Sequence, residues 1–387
     1  MVKAAPLANL STAFLSLSPI SEKSPLASSS VSQNNNNKDK LIAAMTENGV
    51  LLHPVLEKHV DTDFNVGEVT PSCTASAVPS AAASVSGNDN DGDDNGDTCV
   101  SNLNPLEADE DEAEAAVPKI VACGKGGALY LPAIFSKVIE LSGVETPNVV
   151  YIGTASFDAD KNYLRHSGEF ASRGCEVRRL DVSESSTVQD AEEMRHLVVD
   201  WADVLLCSGG NTLHALLRWK ETGLDLLLKE AAEQGTVLCG GSAGAGCWFS
   251  SIHSDSLRPD NVKNAECVKN ELDDEDLTDW DYVKISGLGI IPAMCVPHFE
   301  TTGTNEVARS EHAEQVLVES DDNVPAIGID ENAALVVDGD MAMVVSGDGE
   351  ATCHVVVTDE KTGETITEPI EPDGELVPLE ELMDVQS

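Results

Sequence analysis

The sequence predicts an α/β fold: a doubly wound, mostly parallel sheet sandwiched by helices, with a strand-rich C-terminal extension. Three observations carry this. From Pro118 onward, short apolar runs alternate with helical patterns of roughly 10 to 15 residues, as parallel sheets require. The runs are continuously apolar rather than alternating, which marks strands covered on both faces. After Trp280 the helical patterns thin out and apolar runs follow one another closely, which suggests an antiparallel extension or edge.

In chain order, Lys119–Cys123 is a short apolar run ending in Gly124-Lys-Gly-Gly127, with a helical pattern over Leu131–Leu141. Asn148–Thr154 is the next strand, followed by a helix around Tyr163–Ser172 and a strand over Cys175–Leu180. The spacing of Met194, Leu197, Val198 and Trp201 predicts a helix over Val188–Ala202. Val204–Cys207 then runs into Ser208-Gly-Gly-Asn-Thr212 and a helix to Trp219. A helix over Leu224–Gln234 precedes the strand Thr236–Cys239 and the turn Gly240-Gly-Ser-Ala-Gly244, with Ala245–Phe249 continuing as a helix. The C-terminal strands are expected at Gly287–Val296, Ala326–Ile329, Ala333–Val337, Met341–Val345 and Cys353–Val357.

Residues 1–117 read differently. They are rich in Ser, Asn, Ala, Asp and Glu and poor in aromatics, and they bury too little apolar surface to offset the entropy of ordering. The N-terminal third is therefore expected to be a disordered, acidic, low-complexity leader. One folded domain over 118–360 and an acidic tail over 361–387 complete the organisation.

The net charge is −45, of which −13 falls before Pro118. So acidic a chain repels phosphate backbones and anionic membranes, so neither nucleic acid nor membrane is an expected partner. Ten cysteines occur without a C-x-x-C pair or a zinc-like Cys/His cluster, so free thiols are expected and neither metal nor other cofactor is implied. No stretch approaches the roughly 18 apolar residues of a membrane helix. A cytoplasmic location fits, although Met1–Leu17, with one early lysine and no acid, also allows an organellar targeting segment.

Chemistry concentrates at two glycine-rich strand ends. A serine in G-x-S-x-G between strand and helix sits on a sharp turn that exposes its hydroxyl, which makes Ser242 a candidate nucleophile. The Gly209-Gly210 turn ends the preceding strand, where backbone N–H groups beside that of Ala243 form an oxyanion hole. The bland alternatives are a packing or phosphate-binding loop at Gly240–Gly244 and a helix cap at Asn211 or Thr212. Of nine histidines, His298 ends an apolar run behind Pro297, as a positioned base should; His214 and His253 are its competitors.

Ser208–Thr212, Gly241–Ala245, Cys247–Phe249, His253–Ser256, Pro297–Phe299 and Gly328–Glu331 together resemble the aspartyl dipeptidase (peptidase E) and cyanophycinase family of serine peptidases over roughly Lys119–Val345. The resemblance implies a class I glutamine-amidotransferase-like sandwich. It implies Ser242 as nucleophile, His298 as base, and Gly210 and Ala243 as oxyanion donors. Two acids match, Glu331 and Asp255. Glu331 is preferred as the third member because it ends a strand soon after His298, and strand alternation then turns Asp330 away. Asp255 is otherwise expected to shape the pocket. Asn211 and Arg309 are the implied substrate-binding residues, with Arg309 facing an acidic side chain or, more plainly, pairing on the surface with Glu306 or Glu314.

Two departures from the family stand out: Ser208 where a glycine is usual, and the acidic leader with the insert Asn270–Asp281. The implied activity is hydrolysis of short peptides with an aspartyl residue before the scissile bond, through an acyl-enzyme. The alternatives are a cyanophycinase-like or other amidase or esterase, and a catalytically silent binding protein. A small peptide is the expected partner, and a homodimer is compatible with the fold.

Overall fold

The computed structural model describes residues 117–184, 190–262, 280–320, 324–359, 361–372 and 374–383. The expected leader up to residue 116 and the insert up to residue 279 lie outside the described residues. The strands are β1 (Lys119–Cys123), β2 (Val149–Ile152), β3 (Val177–Leu180), β4 (Val204–Cys207), β5 (Val237–Gly241), β6 (Phe249–Ser254), β7 (Val283–Ser286), β8 (Ile291–Pro297), β9 (Ala326–Ile329), β10 (Ala333–Asp338), β11 (Met341–Ser346), β12 (Cys353–Thr358), β13 (Thr365–Ile370) and β14 (Val377–Pro378). They form two sheets, ordered β14-β11-β10-β1-β5-β4-β2-β3 and β13-β12-β9-β8-β6-β7.

The first sheet is parallel from β1 through β5, β4 and β2 to β3. Every residue of β2, β4 and β5 is buried, as the continuous apolar runs require. Successive side chains alternate between faces. Val150, Ile152, Leu205 and Leu238 pack with the helices Thr212–Thr222 and Leu224–Glu233, whereas Val149, Tyr151, Val204 and Leu206 pack with Phe135 and Phe170 from the opposite face. Helices thus cover both sides of the parallel strands.

The C-terminal strands divide between the sheets. β10, β11 and β14 extend the first sheet antiparallel beyond β1, while β8, β9, β12 and β13 build the second. The segment expected as an acidic tail from 361 supplies β13, which pairs with β12, and β14 with the short helix Leu379–Leu382. Thr365-Ile-Thr-Glu-Pro-Ile370 carries a proline and three polar side chains, and an edge strand tolerates both.

One element differs in kind. The helix expected through Phe249 stops at Gly246, and Phe249–Ser254 is a strand. Gly244 and Gly246 are weak helix formers, and a side chain at 246 would collide with Ile252 of that strand. The chain therefore turns out of the helix and enters the second sheet. The helix expected over Val188–Ala202 is an α-helix only over Ala191–Arg195 and continues as a π-helix to Trp201. Among the described residues no helix is long and apolar enough to cross a membrane.

Candidate active site

Strand register brings the chemistry together. Cys123 pairs with Gly241, Cys207 with Gly240 and Ile152 with Cys207. The turns after β1, β5, β4 and β2 consequently leave the sheet at one level, at the carboxyl ends where ligands bind in such sheets. In the second sheet Pro297 pairs in parallel with Ile329, so His298 and the Asp330-Glu331 turn emerge side by side. β6 runs parallel to β8 with Ile252 opposite Cys295, which carries Asp255 to the same end. The short helix Ala243–Gly246 packs against β8 and joins the two groups.

Ser242 stands between β5 and that helix at φ 57° and ψ −122°. Its N–H donates to Cys123 O at 3.1 Å, and its carbonyl accepts from Ala245 and Gly246, both at 3.0 Å. These bonds over-determine a backbone that non-glycine residues avoid, and such strain clusters at functional sites. His298 is also left-handed, at φ 55°. Gly241 admits no side chain because the Lys125 backbone lies against it.

The Ser208–Thr212 turn lies beside Ser242: a Cβ on Gly209 would sit 3.3 Å from Ser242 Cβ and 2.9 Å from Gly241 O. Gly210 has φ 141°, and a side chain there would collide with Ala155 O. Only glycine fits that position. Among the described residues the N–H groups of Gly210 and Ala243 donate to no protein acceptor, as oxyanion donors should. Ser208, at the family's usual glycine, is buried and accepts a hydrogen bond from Ser156 Oγ at 3.1 Å. Its hydroxyl is thus satisfied inside the fold.

His298 Nδ1 lies 3.0 Å from Glu331 Oε1, and Lys125 Nζ donates to Glu331 Oε2 at 3.0 Å. Glu331 N–H donates to both oxygens of Glu300, at 2.9 and 3.1 Å. Burial raises the Glu331 pKa, but the hydrogen bonds from Lys125 and His298 outweigh it and hold the carboxyl below its usual value. Burial and then the Arg309 charge lower the pKa of His298, with Glu331 pulling the other way. The imidazole is therefore neutral near pH 7, and the Glu331 contact fixes its Nδ1 side and leaves Nε2 for a substrate-side proton. Among the described residues no hydrogen bond joins Ser242 Oγ to His298; in such sites the contact often tightens only with substrate.

Asp255, the other candidate acid, does not approach His298 by a hydrogen bond. Its Oδ2 meets Arg309 Nη2 at 3.0 Å and its Oδ1 accepts from Asn261 Nδ2 at 3.2 Å. Arg309 is buried beneath the Tyr282 ring, 4.8 Å from its centroid, and not on the surface with Glu306 or Glu314. Its charge is met by Asp255. Asn211 is also spent: it caps the helix through His214 N–H and donates to Ser256 O at 3.0 Å and Asn261 O at 2.9 Å. It holds the Asp255 loop rather than presenting a free amide. Asp330 turns away, as alternation requires, to accept from Thr352 N–H and to meet His354 Nε2 at 3.2 Å.

The rival histidines are occupied. His214 Nε2 lies 2.9 Å from Ser183 Oγ, and His253 Nε2 lies 2.9 Å from His312 Nδ1, with burial pushing the His253 pKa well down. Cys239 and Cys247, which flank the serine turn, are free, buried thiols whose pKa burial raises, so neither is a nucleophile. Lys125 and Glu300 were not legible as site residues. The signal for Lys125 was present, a lysine within a glycine turn at a strand end, but its partner lies 206 residues away.

The family model for peptidase family S51 matches residues 120–345, more than half of the chain. Uncharacterized peptidase YgaJ of Bacillus subtilis (strain 168) is 34% identical over 147 residues, which cover 36% of this chain and 60% of that protein. A Trypanosoma brucei brucei protein named G2/mitotic-specific cyclin-1 is 24% identical over 236 residues, covering 54% of this chain and 69% of that protein. Among solved structures, a peptidase from an acI-B1 Actinobacterium is 20% identical, with a TM-score of 0.45, covering 68% of this chain and 97% of that one.

Proposed function

The chain belongs to peptidase family S51, the serine peptidases of the peptidase E type, and on that premise we propose that it cleaves short peptides after an N-terminal aspartyl residue. The observation that carries this reading is the His298–Glu331 pair at the strand end beside the strained Ser242 turn. In the proposed reaction Ser242 Oγ attacks the scissile carbonyl while His298 Nε2 takes its proton. The N–H groups of Gly210 and Ala243 receive the oxyanion, and Glu331 stabilises the imidazolium. The tetrahedral intermediate collapses, the amine leaves with the proton from His298, and an acyl-Ser242 ester remains. Water, deprotonated by the same imidazole, hydrolyses that ester and restores the serine.

Preference for an acidic residue rests on the resemblance to the aspartyl dipeptidases within this family, since Arg309 and Lys125 beside the site are already paired with Asp255 and Glu331. The test is a substrate panel of Asp-Leu, Asn-Leu and a simple alkyl ester. The expected result is turnover of Asp-Leu with kcat/KM at least tenfold above that of Asn-Leu. Comparable rates on ester and amide with no preference for aspartate would replace the dipeptidase with a general esterase or amidase.

A further inference from the structure

With Arg309 committed to Asp255 and Lys125 to Glu331, the question is which cation remains for the carboxylates of an acidic dipeptide. Seven of the eight arginines among the described residues face a carboxylate: Arg173, Arg178, Arg179, Arg195, Arg218, Arg258 and Arg309. Arg165 is the exception. It is exposed on the helix Asp160–Ser172, which follows the turn after β2.

Its position separates it from an ordinary solvated arginine. A Cβ on Gly127 would lie 3.3 Å from Arg165 Nη2 and 4.0 Å from Lys125 Cε, so two cationic side chains converge over the Gly124–Gly127 turn. That turn is part of the candidate site: its Lys125 backbone lies against Gly241, the residue before Ser242. The guanidinium thus lies over the glycine turn whose Lys125 backbone abuts the residue before Ser242. The neighbouring His166 feels its charge, which adds to burial in lowering that imidazole's pKa. A peptide that carries extra carboxylate charge is repelled by so acidic a protein, and a local cation with no counter-charge among the described residues offsets that repulsion at the site.

We propose that Arg165 forms a carboxylate-binding subsite of the peptidase, the planar guanidinium receiving a substrate carboxylate bidentately over the Gly127 turn. This deepens the aspartyl-peptidase reading and rests on it for the choice of ligand. Two carboxylates of an Asp-X dipeptide share that chemistry, the aspartyl side chain and the C-terminus, and the experiment separates them.

Binding of Asp-Leu, Asp-leucinamide and Asn-Leu is measured calorimetrically on the Ser242→Ala protein, with and without Arg165→Gln, so that the readout does not depend on turnover. Arg165→Gln is expected to weaken Asp-Leu binding ten- to a hundredfold, and Arg165→Lys to restore part of it. If the ratio of Asp-Leu to Asp-leucinamide affinity collapses, the subsite takes the C-terminus. If the ratio of Asp-Leu to Asn-Leu collapses, it takes the side chain. Both ratios unchanged, or no measurable Asp-Leu binding before Arg165 is altered, overturns the subsite. Wild-type turnover on the same peptides tests the peptidase reading separately.

Discussion

Ser242→Ala is expected to reduce kcat by about 10⁶, the scale on which removal of a catalytic serine acts in an intact triad site. The substitution deletes one oxygen and keeps the Cβ, so the φ 57° backbone and its hydrogen bonds to Cys123, Ala245 and Gly246 persist. The thermal midpoint should therefore shift by only a few degrees, and Asp-Leu should still bind. Residual turnover above a few per cent of wild type, measured on protein with a native midpoint, means that another group attacks the carbonyl. The buried thiols Cys239 and Cys247 are poor substitutes because neither ionises near neutral pH.

The second large effect belongs to Glu331. Glutamine at this position keeps the size but presents a neutral amide to His298 Nδ1, which favours the wrong tautomer and no longer stabilises imidazolium. A fall in kcat of about 10⁴ is expected. The pH dependence carries a sign as well. The base must be neutral to accept the serine proton, so kcat/KM rises as His298 deprotonates. Burial and Arg309 lower that pKa, which places the acid limb of wild type below the usual histidine value near 6.5. Glu331 opposes them, so Glu331→Gln should move the acid limb further down while lowering the plateau. Asp255→Asn, by contrast, removes the counter-charge of Arg309, and its cost should appear mainly in the thermal midpoint, with kcat falling less than a hundredfold. A larger loss of kcat from Asp255→Asn than from Glu331→Gln would exchange the roles of the two acids.

Much of this was legible in the residues. Apolar runs buried on both faces gave the parallel strands, and β4 lies where its four-residue run predicts, Val204–Cys207. The glycine turns after β4 and β5 were legible because close approach demands glycine locally. What the sequence left open were choices that depend on register between distant segments. Glu331 and Asp255 both end strands near the site, and only the parallel pairing of β8 with β9 puts Glu331 on His298. Arg309 read as either a substrate ligand or a surface residue because its actual partner, Asp255, lies 54 positions earlier on another element. β6 was hidden for a different reason: Cys247-Trp-Phe249 is apolar enough for helix or strand, and the space required by Ile252 against Gly246 decides the matter only in three dimensions. The second sheet escaped the reading with it, since β6 joins β7 to the rest of that sheet.

Ser242 is proposed as the nucleophile, activated by the His298–Glu331 pair. This role is tested most directly by treating the wild-type protein with a serine-reactive phosphonate and mapping the adduct by mass spectrometry. One phosphonyl group per chain is expected, carried on Ser242, forming faster as pH rises through the acid limb and suppressed by Asp-Leu. A protein that stays unlabelled while turning over Asp-Leu, or one labelled stoichiometrically at another residue, would contradict it.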